Sequence, residues 1–152
     1  MLAISNNPSL HEQKMHLAGH LMYEMALRRQ DAVLLTYEHF MNTDNLNDDS
    51  YYIEFKCVKQ NEDRNIEISS AARDAVLKYR STLEERGTKV KDSDELFKYG
   101  NADQFARVLK RFVAKNGFPT FQSHDFRVSR ACEMYVQTGD LEMLRRFFKH
   151  SD

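Results

Sequence analysis

Apolar residues recur at helical spacing from Leu10 to about Leu27: Met15, Ala18, Met22 and Met25 form one line, and Leu17, Leu21 and Ala26 widen it. A face this wide predicts a mostly buried first helix whose methionines are core rather than a ligand surface. The polar stretch TDNLNDDS then reads as a connection. Beyond it, YYIEFKCVKQ and RNIEIS are rich in β-branched and aromatic residues and flank the polar NED, a hairpin signal. Ser69 or Ser70 can cap a helix running to about Glu85 and closed by Gly87. After the loop TKVKDSDE, another helix spans about Ala102 to Lys115 and stops at Asn116 and Gly117. Ser123 can cap a helix from His124 to Thr138, ended by Gly139, and Asp140 can cap a last one from Leu141 to about Phe148. The expected order is therefore helix, hairpin, then four helices: a mainly α (α+β) fold, a helical bundle with a small antiparallel hairpin or sheet at one edge.

Length and composition narrow this further. With 152 residues, 41% hydrophobic and 30% charged, and five Gly and two Pro, the chain is expected to form one domain, residues 1–152, with a real core; disordered and collagenous classes are excluded. No internal repeat or linker divides it. No apolar run approaches the roughly 18 residues of a membrane span, and the start, MLAISNNPSLHEQ, lacks the basic and apolar regions of a signal peptide. Cys57 and Cys132 lie 75 residues apart with no CxxC, so a reduced, intracellular protein with no membrane partner is expected. The net charge of −1 hides an asymmetry: residues 1–103 carry 13 Lys and Arg against 18 Asp and Glu, and residues 104–152 carry 9 against 5. The last third is the basic part.

The candidate chemistry is basic and dispersed. Arg28 closes the first helix, Lys59 sits at the hairpin turn with Lys56 as its competitor, His124 and Arg127 form HDFR at a helix start, and His150 follows the last helix. His124 and Arg127 are three apart, so both can face one point where the helix N-terminus favours an anion. Two guanidiniums neutralise the non-bridging oxygens of a phosphoryl transition state, while imidazole and ammonium groups move protons, so no metal or cofactor is needed. The bland alternatives are that Arg28 and Arg29 satisfy helix-end carbonyls, that Lys59 is a solvated hairpin lysine, and that Arg127 pairs with Asp125 or Glu133. His16 and His20 in HLAGH have zinc spacing but lack the Glu of HExxH, and they read as polar-face histidines. DSDELF reads as a solvated acidic loop. Arg107, Lys110, Arg111 and Lys115 recur at helical spacing, a stripe that lines a DNA backbone or only solvates its face.

The order of these residues resembles the catalytic domain of the tyrosine recombinases, also called the phage integrase family, over nearly the whole chain. MALRRQDAVLLTYEHF resembles the family's first arginine box, usually TGLR followed three residues later by Glu and then a Leu-rich turn; Arg28 stands at the arginine, Asp31 at the acidic position, and Met25 and Ala26 where TG is usual. VKQNEDRNIEI resembles its hairpin and places Lys59 at the catalytic lysine. HDFRVSRACEMYVQTGDLEMLRRFFKHS resembles the H-x-x-R helix, the Gly-containing break and the LGHS segment, with Phe148 and Lys149 where LG is usual; it assigns His124, Arg127 and His150.

The resemblance implies strand breakage and rejoining in double-stranded DNA through a 3′-phosphotyrosine, by a protein that assembles as a homo-oligomer on DNA. Arg28 and Arg127 would clamp the phosphate, Lys59 would protonate the leaving 5′-oxygen, His124 would act at the tyrosine oxygen, and His150 would donate to a phosphate oxygen. The family's nucleophile follows the second histidine by about nine residues, whereas this sequence stops two residues after His150, at Asp152. None of the seven tyrosines occupies that position. The expectation is a C-terminally truncated or diverged member, without a preceding core-binding domain and inert by itself. The competing expectations are a non-catalytic DNA-binding or interaction module that kept the fold, and a purely structural helical domain.

Overall fold

A computed structural model describes residues 9–41, 44–47, 50–57, 62–117, 129, 130 and 133. The expected first helix is present as α1, Leu10–Met25. Its start is fixed by a reciprocal cap: the Ser9 hydroxyl accepts from the Glu12 N–H at 3.1 Å, and the Ser9 N–H donates to the Glu12 carboxylate at 3.4 Å. Met15, Leu17, Ala18, Leu21, Met22 and Met25 are all buried, as the apolar stripe requires. Each fully buried side chain of this size contributes roughly 1.5–3 kcal/mol, so α1 is the axis around which the other elements pack. It touches α2, β3, α4 and α5.

Two one-turn helices follow that the sequence pattern does not announce, α2 (Arg29–Ala32) and α3 (Glu38–Met41). Neither is long enough to display a helical period; backbone bonds and burial of Ala32, Leu35 and Phe40 hold them. The stretch read as a polar connection contains a strand, β1 (Asp44–Asn47), which pairs antiparallel with β2 (Ser50–Cys57) through a register shift between Asn45 and Asn47. β1 has no alternation of apolar residues, and its pairing is a matter of backbone bonds. The predicted hairpin is β2 with β3 (Glu62–Ser69), in register from Ser50 opposite Ser69 to Cys57 opposite Glu62. The sheet order is β1-β2-β3. Ile53, Ile66 and Ile68 point inward, while Tyr52, Glu54 and Glu67 stand on the exposed face.

Ser69 ends β3 and caps α4, Ser70–Glu85, its hydroxyl accepting from the Ala72 N–H at 3.1 Å. Gly87, at φ +88°, follows the helix in the left-handed conformation that glycine adopts without strain. The segment after it is anchored, which corrects the reading of DSDELF as solvated: Leu96 and Phe97 are buried, and Phe97 stacks on Phe105 at 5.4 Å. Leu96 N–H donates to Leu35 at 2.9 Å and Glu38 N–H donates to Asp92 at 2.7 Å, tying this segment to the stretch between α2 and α3. Arg80 of α4 holds it from the other side, with Asp92 at 2.7 Å and the Val90 carbonyl at 3.0 Å. Helix α5, Ala102–Lys115, is capped by Asn101, whose side chain accepts from the Gln104 N–H at 2.8 Å. Its apolar face, Phe105, Leu109, Phe112 and Val113, closes the core. Residues 129, 130 and 133 are helical, within the span expected for the HDFR helix. The last predicted helix lies outside the described residues. Among the described residues no helix is long and apolar enough to cross a membrane.

Candidate functional site

Arg28 sits where the chain reverses out of α1. Ala26 takes the left-handed conformation, φ 52° and ψ 46°, and its N–H returns to the Met22 carbonyl. Leu27 N–H also reaches Met22 O, at 3.2 Å, and Leu27 is buried. Ala26 thus fills, with a side chain, the position where the resemblance puts glycine. Arg28 is extended (φ −76°, ψ 155°) and is the N-cap residue of α2, its carbonyl accepting from the Asp31 and Ala32 N–H groups, each at 3.0 Å. Its side chain is half-buried. Asp31, in the first turn of α2, is 1% exposed, so the acidic position of the arginine box is an interior one.

Arg29, next in sequence, is exposed and meets Asp103 of α5 at 3.3 Å. With both partners in water the pair contributes little energy, but it shows that α2 lies along the start of α5. Arg107, Lys110, Arg111 and Lys115 are all exposed on the outer face of α5, opposite the buried Phe105, Leu109, Phe112 and Val113. From Arg107 to Lys115 the stripe extends about 12 Å along the helix. It is a continuous cationic surface of four side chains.

The HLAGH histidines have separate partners. His16 packs edge-on against Phe112, ring centroids 5.2 Å apart, and His11 does the same at 6.4 Å, so both join α1 to α5. His20 Nε2 lies 3.7 Å from the Glu24 carboxylate. Among the described residues no group of three or more His, Cys, Asp or Glu is arranged to hold a metal ion.

Of the candidate catalytic residues, Arg28 is placed as above, while Lys59, His124, Arg127 and His150 lie outside the described residues, as does Asp125. Glu133, weighed as an ion-pair partner for Arg127, bonds Arg130 at 3.2 Å. Arg130 also stands over the Tyr23 ring of α1, 5.8 Å from its centroid. Sequence reading passed over Arg130; its i, i+3 spacing to Glu133 was the available signal.

A search of curated proteins returns no significant match. Among solved structures, the XerH site-specific recombinase bound to palindromic difH substrate, a post-cleavage complex, superposes with a TM-score of 0.71 at 16% identity, covering 97% of this chain and 42% of that one. The XerH pre-cleavage complex on difH gives 0.71 at 18% identity with the same coverage. XerA recombinase gives 0.63 at 16% identity, covering 99% of this chain and 57% of that one. At these identities the likeness is one of fold, and the chain spans about half the length of the recombinases it matches or less. The sequence model of the phage integrase family matches residues 1–152. The chain belongs to the phage integrase family, the tyrosine recombinases.

Proposed function

We propose that residues 1–152 form the catalytic domain of a site-specific DNA recombinase or integrase, which breaks and rejoins DNA strands through a 3′-phosphotyrosine intermediate. The observation that carries this reading is the family match over the whole span 1–152. Arg28 and Arg127 clamp the non-bridging oxygens of the scissile phosphate and offset the charge that builds on them in the transition state. A tyrosine oxygen attacks phosphorus and the bond to the 5′-oxygen breaks; His124 takes the tyrosine proton, Lys59 gives one to the leaving oxygen, and His150 donates to a phosphate oxygen. The bond energy is kept in the phosphotyrosine, so a hydroxyl from another strand reverses the step. The tyrosine is supplied from outside residues 1–152, by further chain or by a partner copy in a homo-oligomer on DNA.

The half-buried position of Arg28, one turn before the buried Asp31, supports a guanidinium whose stem is fixed before substrate arrives. The exposed stripe of Arg107, Lys110, Arg111 and Lys115 supports contact with the duplex backbone. A mobility-shift titration with duplex DNA at low ionic strength tests the reading: weak, strongly salt-dependent binding is expected, and no binding by the folded chain counts against a recombinase and for a structural domain.

A further inference from the structure

We propose that Lys14 and Lys98 form a phosphate-binding pair where the segment leading into α5 meets α1. The pair is separate from the catalytic residues assigned above; only the source of its phosphate, the backbone of duplex DNA, rests on the recombinase reading. The Lys14 ammonium lies over the Tyr99 ring, 4.4 Å from its centroid. Tyr99 in turn packs on Phe105 of α5, ring centroids 5.6 Å apart, and Phe97 stacks on the same Phe105 at 5.4 Å. Lys98 stands between these two anchored aromatics in the chain, and its side chain is exposed. One fixed aromatic stack therefore sets the position of the Lys14 ammonium and of the backbone from which Lys98 extends.

Three features make this arrangement a poor one without a ligand. Among the described residues neither lysine has a carboxylate partner, and Asp103, at the start of α5, is already bound by Arg29. Lys14 is half-buried; burial first, and the Lys98 charge second, hold its pKa below the ordinary lysine value, so two like charges are kept close with no anion between them. Lys98 also holds φ at 52°, a conformation that glycine would adopt without strain, and such strain is retained where a side chain serves a ligand. A phosphate group answers the missing partner and the repulsion together. Each ammonium donates to a different non-bridging oxygen, and two charges that repel each other are both drawn to one anion.

The test has two arms, run at a temperature where every variant is folded. In the first, inorganic phosphate is titrated at constant ionic strength and followed by the NMR signals of the lysine ε-methylene groups. The Lys14 and Lys98 signals are expected to move together with one dissociation constant. Lys14→Gln and Lys98→Gln should each weaken that constant, read at the lysine that is left, by about tenfold, as the loss of one charge-assisted hydrogen bond predicts. Separate constants for the two lysines, or no response of either, overturn the pair. In the second arm a short DNA duplex replaces phosphate. The double variant should then flatten the slope of log binding constant against log salt by about 0.9, the value for one shared phosphate. A change of about 1.8 puts each lysine on its own phosphate and overturns the pair. An unchanged slope overturns the duplex as the source of the phosphate. No duplex binding by the wild type, with its phosphate response intact, overturns the recombinase reading and upholds the pair.

Discussion

The Glu24 carboxylate accepts a hydrogen bond from the Ser69 backbone N–H at 3.3 Å, joining the last turn of α1 to the residue that both ends β3 and caps α4. Three elements are thus locked together near the point where Arg28 leaves α1. Burial by itself would raise the Glu24 pKa, but the His20 imidazole and the Ser69 bonds outweigh it and hold the carboxyl below its usual value.

A depressed carboxylate pKa stabilises the fold above the unfolded pKa, and that contribution is lost as pH falls through the lower folded value. Glu24→Ala is expected to cost about 1–3 kcal/mol at neutral pH and less in acid. Urea unfolding between neutral and acid pH measures it; a cost that does not shrink on acidification contradicts the assignment.

Tyr37→Phe should stabilise the protein. The Tyr37 hydroxyl is buried with no hydrogen-bond partner among the described residues, and burial, with Tyr79 nearby, pushes its pKa upward. The Arg80 guanidinium, 5.5 Å from the ring centroid, needs only the aromatic face, which phenylalanine keeps. Removing an unsatisfied buried hydroxyl is expected to gain about 1 kcal/mol, read as a higher denaturation midpoint. A lower midpoint would mean that the hydroxyl is bonded in solution.

Lys98→Gly should also stabilise. Lys98 holds φ at 52°, a conformation that costs a side-chain-bearing residue about 1 kcal/mol. Burial first, and then the Lys98 charge, lower the pKa of Lys14, whose Nζ lies 4.4 Å from the Tyr99 ring centroid. Relief of strain and repulsion together should raise Tm by about 2–4 °C. An unchanged or lower Tm by calorimetry would contradict this.

If the α5 stripe tracks a DNA backbone, its charges are countable. Replacing both Lys110 and Arg111 with glutamine should flatten the slope of log binding constant against log salt by about 1.8, in proportion to the phosphates released, and leave Tm nearly unchanged because both side chains are exposed. An unaltered slope would make the stripe a solvated face.

How much of this was legible in the sequence follows from which forces shape each part. α1, α4 and α5 announce themselves through patterns several turns long, and α4 also through a cap at Ser69, whereas the caps at Ser9 and Asn101 emerge from the structure. The β2–β3 hairpin does so through Ile53, Ile66 and Ile68, which alternate inward. β1, α2 and α3 are each four residues, too short for any period, and exist because neighbours satisfy their backbones. Leu96 and Phe97 were hidden in an acidic segment that gives no helical or strand pattern. At the site, residue order singled out Arg28 as a candidate and Asp31 as the acidic position beside it, but not the burial of Asp31. The spacing of Arg130 to Glu133 was readable, whereas its contact with Tyr23 joins residues more than a hundred apart, which no local pattern announces.

The most direct measurement of the recombinase reading is covalent trapping on a suicide DNA substrate that loses its 5′-hydroxyl fragment after cleavage. Residues 1–152 alone should form no adduct, while the same chain extended by a downstream segment that docks a tyrosine in line with the leaving oxygen should form one. Arg28→Ala should reduce trapping by that extended chain by about a hundredfold or more while leaving it folded. An adduct formed by residues 1–152 alone would contradict the assignment of the nucleophile. Full trapping by the extended Arg28→Ala variant would contradict the phosphate clamp on which the account depends.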